Sequence, residues 1–321
     1  MLLSTGEQVT IAMLAIAVKK LGHQAISFTG PQVNIVTDKV HGKAKIQSIN
    51  AEKILEQLRQ DRIVIVAGFQ GMTECGEITT LGRGGSDTTA VALAASLQAK
   101  VCDIYTDVSG VFTADPRIVH NARKVKAISY DEMLELASLG AKVLHSRSVE
   151  FAKKFGVIIH VRSSFLDEEG TYVMEEVKEM EKVLVSGVAC YKNQAKISVL
   201  AIPDRPGLAA ALFKSLADAS VGIDMIIQNV AEGGKNDISF TVEKTDLKNA
   251  ISIAEKYAEE HGAGNVIWDQ DIAKVSAVGV GMKSHCGIAS TMFQALAEKN
   301  INIEMISTSE IKISCIIEEA H

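Results

Sequence analysis

The run from Thr79 to Thr89 is Thr-Thr-Leu-Gly-Arg-Gly-Gly-Ser-Asp-Thr-Thr and contains the residue types of an anion-binding loop. Glycines let the backbone approach a ligand closely, and the helical pattern that follows directs free N–H groups towards it. Arg83 offers a planar fork that suits a carboxylate, and Asp87 offers a carboxylate that suits an ammonium group. Together they indicate a zwitterionic amino-acid substrate. Taken by itself, the run could equally be a plain turn that begins a helix.

Alternating helical and strand patterns in the first half must position this loop. Residues 8–21 carry an apolar helical stripe, and Ser4 and Glu7 before it have the spacing of a capping box. Further helices are predicted near 51–60, 87–99, 131–138 and 147–155, and strands at 24–29, 63–67, 101–106 and 157–161. Strands separated by helices are typical of βαβ units, so we expect a mostly parallel sheet covered on both faces. The acidic stretch Leu166–Lys182 is interpreted as a solvated connector.

The composition is that of a folded protein with more than one domain. The chain has 321 residues, of which 47% are hydrophobic and 22% charged, so it is too apolar for a disordered protein. A net charge of -6 without a basic patch argues against a nucleic-acid partner. The apolar runs have strand length and the first residues lack a signal-peptide pattern, so no membrane partner is expected. The scattered cysteines favour reduced thiols in the cytoplasm. Neither they nor the scattered histidines have the spacing of a metal site, so no metal site is predicted.

The second half contains an internal repeat. When Gly207 is aligned with Gly287, apolar positions of the helix and strand that follow also match. The two copies span about residues 197–244 and 275–319. Each copy is predicted to contain a strand, a glycine turn, an amphipathic helix and two more strands, so it is one supersecondary unit used twice.

Several motifs occur in the order that is typical of aspartate kinases, and the chain resembles that family over nearly its whole length. They are Ser4-Thr5-Gly6-Glu7, Ala67-Gly68-Phe69-Gln70-Gly71, the glycine loop, Tyr105-Thr106-Asp107-Val108-Ser109-Gly110-Val111, Thr113-Ala114-Asp115-Pro116-Arg117 and Ala141-Lys142-Val143-Leu144-His145. The resemblance implies an amino-acid-kinase-like α/β/α sandwich at 1–166, a connector at 167–182, and two ferredoxin-like βαββαβ ACT units at 183–321. Other amino-acid kinases, such as glutamate, acetylglutamate or uridylate kinases, generally lack tandem ACT units.

The resemblance also implies a reaction and its residues. Bacterial aspartate kinases of the lysine- and threonine-regulated type phosphorylate the side-chain carboxylate of L-aspartate with ATP and Mg²⁺, the first step of lysine, threonine and methionine biosynthesis. The matching positions for the substrate are Glu7, Arg83, Gly84, Gly85 and Ser86, with Arg83, Asp87 and Lys142 in catalysis. The matching positions for the nucleotide are Thr106, Asp107, Phe112, Thr113, Ala114, Asp115, Pro116, Arg117, Lys142 and Val143.

Each of these residues also has a plainer interpretation. Glu7 could simply complete the capping box with Ser4, and Asp107 and Asp115 could be turn residues. Lys142 alone would most often be a solvated surface lysine. The order of the motifs along the chain, rather than any single residue, therefore carries the resemblance.

Paired ACT units in that family bind amino acids, so the repeat implies an effector site for lysine, threonine or both. The candidates lie in the turn before the helix of each copy and at matching ends of the strand that follows it, where we expect Asn229 and Asn302. They are Asp204, Gly207, Ala209, Gln228, Asn229, Ser284, Asn302 and Ile303. The predicted assembly is a homodimer or higher oligomer formed through the ACT units.

One motif of the family is missing. Aspartate kinases begin with a strand and a Lys-Phe-Gly-Gly turn whose lysine stabilises the transferring phosphoryl group, and the chain contains no such turn. We therefore expect a chain that is truncated at the N-terminus, and slightly at the C-terminus, with little kinase activity in this form. The alternative is a non-catalytic amino-acid sensor made of ACT units with a vestigial kinase domain.

Overall fold

A computed structural model of the chain describes residues 1–141, 143–175, 185–231, 233–280, 282 and 287–321. The chain divides into two compact units, Met1–Gly187 and Val188–His321. Within the described ranges, the first unit carries three β-sheets, and one further sheet forms the centre of the second unit.

The first unit alternates helices and strands, as the patterns predict. Its helices are α1 (Leu2–Lys20), α2 (Glu52–Leu58), α3 (Gly85–Ser96), α4 (Tyr130–Ser138) and α5 (Ser146–Phe155). Its strands are β1 (Ala25–Phe28), β2 (Ile35–Thr37), β3 (Ile46–Ile49), β4 (Ile63–Val66), β5 (Gln70–Met72), β6 (Ile78–Thr80), β7 (Val101–Thr106), β8 (Ala127–Ser129), β9 (Ile158–Ser163) and β10 (Thr171–Met174). A 3₁₀ turn lies at Pro31–Val33.

Parallel pairs occur in each of the three sheets of this unit. Strand β1 pairs with β4, β7 with β9, β8 with β10 and β2 with β5, all in parallel. Antiparallel pairs join β9 to β10, β2 to β3 and β5 to β6. The expected α/β architecture is confirmed, but the sheets are mixed rather than mostly parallel.

The core of the first unit fixes the helix that follows the glycine loop. Phe28, Val33, Ile35 and Ile54 form one buried cluster, against which side chains of α3 also pack. Val91, in the middle of α3, is fully buried. The loop therefore emerges from the N-terminal end of a helix that the core holds in place.

Helix α1 differs from its prediction at its start. It begins at Leu2 rather than near Gln8, and Met1 is its N-cap. Ser4 is buried inside the helix, where its hydroxyl donates to the Met1 carbonyl at 2.7 Å. The predicted capping box of Ser4 and Glu7 is therefore wrong, and the Glu7 carboxylate bonds a distant segment of the chain instead.

Among the helices that the structure describes, α1 alone is long and apolar enough to cross a membrane by length and composition. The mean hydropathy of its apolar stretch of 18 residues is 1.3, and 11% of that stretch is buried. This differs from the expectation that all apolar runs have strand length. The carbonyl of Ser4 accepts a hydrogen bond from the Gln70 side chain at 3.0 Å, so the helix is joined to the sheet of β5.

Residues 171–174 also differ from their prediction. Their acidic neighbours place them in a solvated connector, but they form β10, where Thr171 and Val173 are fully buried. The Thr171 hydroxyl donates to the Val125 carbonyl at 2.5 Å and accepts from the Val111 N–H at 2.9 Å. This part of the predicted connector belongs to the first unit, and residues 176–182 of the connector lie outside the described residues.

The second unit uses one motif twice, as the repeat predicts. Its strands are β11 (Gly187–Pro203), β12 (Ile223–Ala231), β13 (Lys235–Glu243), β14 (Val266–Val278), β15 (Met305–Thr308) and β16 (Lys312–Glu318), and its helices are α6 (Leu208–Asp218), α7 (Leu247–His261) and α8 (Ile288–Glu298). The strands form a sheet in the order β12-β13-β11-β14-β16-β15. One copy is β11-α6-β12-β13, and the other is β14-α8-β15-β16.

The aligned glycines have the same role in both copies. Gly207 and Gly287 cap α6 and α8, with φ of 94° and 111°. This left-handed conformation favours glycine, because it has no Cβ to clash with the backbone. Both helices therefore begin directly after the glycine that the repeat singles out.

Ion pairs connect the copies, among them the pair of Lys244 and Glu319. Lys196 of β11 binds Glu304, which precedes β15, and Lys274 of β14 binds Asp224 of β12. Burial alone would raise the pKa of the Asp224 carboxyl, but the hydrogen bond and charge of Lys274, with smaller contributions from Gln194 and Lys312, hold that pKa below its usual value. A buried apolar cluster with side chains from both copies adds to these contacts.

Candidate functional site

The glycine loop is built from positions where a side chain would not fit. Gly82 and Gly84 have φ of 80° and 67°, in the left-handed region. A Cβ on Gly84 would lie 2.3 Å from the His145 side chain, and one on Gly85 would lie 2.8 Å from the Phe69 ring. The loop therefore needs glycine both for its backbone angles and for its close packing.

Helix α1 brings a carboxylate to this loop. The Ser86 hydroxyl donates to Glu7 Oε1 at 2.6 Å, although 79 residues separate the two in sequence. Gly68 leaves room for the contact, since a Cβ there would lie 3.2 Å from Glu7 Oε2 and 3.1 Å from the Ser86 Cα. Two of the predicted substrate residues are thus brought together by tertiary structure.

Arg83 is the exposed cation of the loop, and its guanidinium has no hydrogen bond or ion pair with any residue in the described part of the chain. The N–H groups of Ser86 and Asp87 lie in the first turn of α3, where a helix offers no internal acceptor. A free guanidinium and free N–H groups at one helix end favour a carboxylate ligand. The predicted carboxylate-binding role of the loop is therefore compatible with its geometry.

Asp87 lies half-buried in the first turn of α3. Burial raises the pKa of its carboxyl, while the charge of His145 and a hydrogen bond from the His145 backbone partly lower it. A carboxyl that is costly to ionise gains from a cationic neighbour, because opposite charge favours its ionised form. An ammonium group of a ligand would supply such a neighbour.

Two residues to which the motifs assign no role also shape this region. Arg147 donates from Nη1 to the Leu81 carbonyl at 2.8 Å and from Nη2 to the Ala44 carbonyl at 2.6 Å. The Thr89 hydroxyl accepts from the Phe69 N–H at 3.1 Å. The one sequence signal for Arg147 was its position two residues after the last motif that matches the family.

The predicted nucleotide residues begin at the carboxyl end of β7. The Thr106 hydroxyl donates to Asp107 Oδ1 at 3.1 Å, and the Asp107 side chain is exposed. Val143 is half-buried before α5, and Lys142 lies outside the described residues. The role predicted for Lys142 therefore depends on its motif alone.

Phe112, Thr113 and Ala114 form one arm of a short hairpin. Phe112 forms an antiparallel bridge with Lys124, and the Thr113 N–H donates to the Arg123 carbonyl at 2.9 Å. All three predicted residues are half-buried. The backbone of this arm is thus held in place, while its side chains stay partly accessible to a ligand.

Asp115 and Arg117 form an ion pair on either side of the exposed Pro116. The Arg117 Nε and Nη2 donate to the two carboxylate oxygens at 3.0 and 2.8 Å, and its backbone N–H donates to Oδ1 at 2.9 Å. These hydrogen bonds lower the pKa of the Asp115 carboxyl. Asp115 therefore stabilises a turn here, which is the plainer of its two interpretations.

Through Asp87, helix α3 places the aspartate candidates close to β7, the strand that leads to the nucleotide candidates. In the part of the chain that the structure describes, no hydrogen bond or ion pair joins the aspartate candidates to the nucleotide candidates. Burial, together with the charges of Asp103 and Asp87, raises the pKa of the Cys102 thiol to about 11. Since Cys102 lies on β7, Asp87 is close to the strand that leads to Thr106.

The effector candidates of the first copy surround the start of α6. The exposed Asp204 accepts a hydrogen bond on Oδ1 from Asn236 Nδ2 at 2.9 Å, and its N–H donates to the Gly234 carbonyl at 2.9 Å. Gly207 caps the helix, and Ala209 lies half-buried in its first turn. Asn236 is buried, and its Oδ1 has no partner in the described structure.

The remaining effector candidates are more dispersed. Gln228 and Asn229 are exposed inside β12 rather than at its end. Asn302 and Ile303 precede β15, and Ser284 lies outside the described residues. The expectation that the paired asparagines mark matching strand ends is therefore wrong.

Comparisons with known proteins match both halves of the chain. The model of the amino acid kinase family matches residues 1–163, and a model of the ACT domain matches residues 197–257 and 275–321. The chain is 52% identical over 321 residues to an aspartate kinase of Stutzerimonas stutzeri (strain A1501). That alignment covers 100% of this chain and 78% of the relative.

Solved structures are similar over nearly the whole chain. A crystal structure of E. coli aspartokinase III in complex with aspartate and ADP (R-state) has a TM-score of 0.79 at 27% sequence identity. The structure of E. coli aspartokinase III in complex with lysine and aspartate (T-state) has a TM-score of 0.76 at 28% identity. Each alignment covers 98% of this chain and 71% of the other.

Proposed function

The chain belongs to the aspartate kinase family, and on that premise we propose which of its residues bind L-aspartate, the nucleotide and an effector. An aspartate kinase transfers a phosphoryl group from ATP to the side-chain carboxylate of L-aspartate and so forms 4-phospho-L-aspartate. The observation that supports the assignment most strongly is the unpaired Arg83 in a glycine loop that the Glu7–Ser86 hydrogen bond joins to α1.

The aspartate site pairs each charge of the substrate with a side chain of the loop region. Arg83 binds one substrate carboxylate through its guanidinium fork. Glu7 and Asp87 face the ammonium group of the substrate. Burial makes the ionised form of Asp87 costly, and the positive charge of the ammonium group compensates this cost. The backbone of Gly84, Gly85 and Ser86 closes around the substrate, because glycine permits a close approach.

The nucleotide site lies at the carboxyl end of β7, where ligands of α/β proteins commonly bind. Thr106, Asp107, the segment 112–117 and Val143 line it, and the motif adds Lys142, which lies outside the described residues. Among the described residues, no group of three His, Cys, Asp or Glu side chains is placed to hold a metal ion. A Mg²⁺ ion that enters with ATP would be held by phosphate oxygens, water and one or two carboxylates, as this cation commonly is in kinases.

The chemistry requires orientation and charge rather than a base. The attacking group is a carboxylate, which is already ionised at neutral pH. Arg83 and the first turn of α3 hold the substrate in position, and Lys142 neutralises charge on the transferring phosphoryl group. Mg²⁺, when bound with ATP, neutralises further phosphate charge.

The second unit binds an amino-acid effector. E. coli aspartokinase III has been solved with lysine, so lysine is the first candidate and threonine the second. The Asp204 carboxylate is available to an effector ammonium group, and the start of α6 offers free N–H groups to its carboxylate. Assembly as a homodimer through the ACT units and a cytoplasmic location stay predictions.

Titration calorimetry with separate ligands tests the aspartate and nucleotide sites. L-aspartate and MgADP should each bind, and L-glutamate should bind more weakly, because its longer side chain displaces one carboxylate from its partner. D-aspartate, with the same charges in another arrangement, is the control for non-specific attraction. Equal affinities for L- and D-aspartate would contradict an oriented site.

The effector site is tested with lysine and threonine on the same chain. At least one of them should bind, and Asp204→Ala should weaken it, whereas Asp218→Ala, an exposed aspartate at the other end of α6, should not. Absence of binding by both amino acids would refute the effector site. Binding of an effector without any binding of aspartate or MgADP would instead support the non-catalytic sensor.

A further inference from the structure

Arg147 joins two segments that are distant in sequence. Its Nη1 donates to the Leu81 carbonyl, 66 residues away, and its Nη2 donates to the Ala44 carbonyl, 103 residues away. Leu81 and Ala44 are both buried, so water has little access to these carbonyl groups. Hydrogen bonds from a charged donor to such carbonyls are among the stronger ones in proteins.

The two segments meet directly beside the glycine loop. The Ala44 N–H donates to the Thr80 carbonyl at 3.0 Å. A Cβ on Gly82 would lie 2.8 Å from the Gly42 carbonyl oxygen, so the chain around Ala44 packs tightly against the first glycine of the loop. Arg147 closes this junction by bonding one carbonyl on each side of it.

The start of α5 holds the loop at two further points. The His145 side chain occupies the space that a Cβ on Gly84 would need, and the His145 backbone forms a hydrogen bond with Asp87. Because Arg147 lies in the first turn of α5 and His145 is its N-cap, one element contacts the loop on both sides of Arg83, at Leu81 and at Gly84 and Asp87. The contact with Glu7 comes from the other direction, from α1.

We propose that Arg147 is a positioning residue for L-aspartate: it fixes the Leu81 and Ala44 carbonyls and thereby holds the loop in the conformation that presents Arg83 to the substrate carboxylate. The proposal rests on the assignment of this loop to the aspartate site. Arg147 donates to the backbone through a planar fork, so its charge serves geometry rather than direct contact with the substrate. A loop without this support would spend part of its time in conformations that do not bind aspartate, which weakens the apparent affinity.

Calorimetry on the whole chain can separate this role from a merely structural one. Arg147→Ala should raise the dissociation constant of L-aspartate by about tenfold or more, and that of MgADP much less. Millimolar guanidinium chloride should restore part of the lost aspartate affinity in this variant, because the free ion can bond the same carbonyls. The control is Arg59→Ala, which removes an exposed arginine after α2. This variant should keep its affinities for L-aspartate and MgADP, and guanidinium should not change them.

Arg147→Lys is the second variant, and it keeps the comparison possible if the alanine variant does not fold. Lysine retains the charge but cannot bond both carbonyls with one planar group, so aspartate affinity should still fall. Unchanged aspartate affinity in both variants, or an equal fall for aspartate and MgADP, would overturn the proposal. Failure of the unaltered chain to bind aspartate would overturn the site assignment itself, and the two failures are therefore distinguishable.

Discussion

Arg83→Ala should weaken aspartate binding without disturbing the fold. The Arg83 guanidinium has no hydrogen bond or ion pair within the described chain, so its removal breaks no such contact there. A hydrogen bond to a charged group contributes about 1.5–3 kcal/mol, and a guanidinium fork can form two of them. Because the side chain is exposed, we take a total of about 2–3 kcal/mol, which corresponds to a roughly 30- to 150-fold higher dissociation constant.

The assay compares aspartate and MgADP affinities by calorimetry and the melting temperature by calorimetric or spectroscopic scans. Arg83→Lys keeps the charge but loses the planar fork, so its aspartate affinity should be intermediate. Arg117→Ala is the control, since Arg117 is another exposed arginine and belongs to the nucleotide segment. It should leave aspartate affinity unchanged.

The pattern of losses decides whether the reasoning about Arg83 is right. An equal fall in aspartate and MgADP affinity for Arg83→Ala would refute the placement of Arg83 at the substrate carboxylate. A clearly lower melting temperature would refute the statement that its removal costs no contact. Loss of aspartate affinity in Arg117→Ala to the same extent would show that general positive charge, rather than one fork, attracts the substrate.

Three further changes test other contacts. Gly84→Ala should lower the melting temperature more than Gly22→Ala, because both glycines have positive φ but only a Cβ on Gly84 would clash, at 2.3 Å, whereas Gly22 has no atom within 4 Å. Equal shifts would contradict the packing argument. Asp87→Asn should stabilise the protein at neutral pH, because burial raises the pKa of this carboxyl, so the folded state holds an unfavourable charge once the pH rises above the ordinary value of 3.8. Urea unfolding at several pH values should show that this gain shrinks as the pH falls towards 3.8, and a gain that grows there would be inconsistent with the raised pKa. Lys274→Met should cost up to about 3 kcal/mol in urea unfolding, near the lower end for buried pairs because Asp224 is partly exposed, and adding Asp224→Leu should recover part of it. A double variant that is no more stable than the single one would argue against an uncompensated charge as the cause.

The glycine loop could be predicted from the sequence because its backbone restricts residue type. Gly82 and Gly84 have angles that favour glycine, and Gly84 is the residue at which the following helix begins. The repeat was predictable for a similar reason, since the glycine before each helix occurs at the same place in both copies. These features depend on neighbours in sequence, so a reading of the chain can find them.

The prediction failed where a distant partner outweighs a local pattern. Ser4 and Glu7 have the spacing of a capping box, but the helix starts earlier and the Glu7 carboxylate accepts from Ser86. The strands β2, β5, β6 and β8 have three residues each, too few to show a period of two. Such strands form because neighbouring strands complete their hydrogen bonds, which no local pattern records.

Arg147 shows the same limit within the candidate site itself. Its two acceptors are backbone carbonyls, and any residue type supplies a carbonyl. Nothing in the residues at Leu81 or Ala44 therefore indicates that an arginine binds there. A side chain that supports a site through the backbone can be found only when the fold is known.

The ion pairs of the second unit extend this argument to the repeat. Lys196 and Lys274 hold equivalent places on the first strands of their copies, and Glu304 and Asp224 are aligned by the repeat. Each lysine binds the acidic residue of the other copy rather than its own, so the exchange is symmetric. Because charges that lose a partner in a buried setting are costly, neither copy can shift far without breaking a pair that the other copy also needs. The two copies are therefore coupled to each other, and a ligand that favours one arrangement of one copy acts on both.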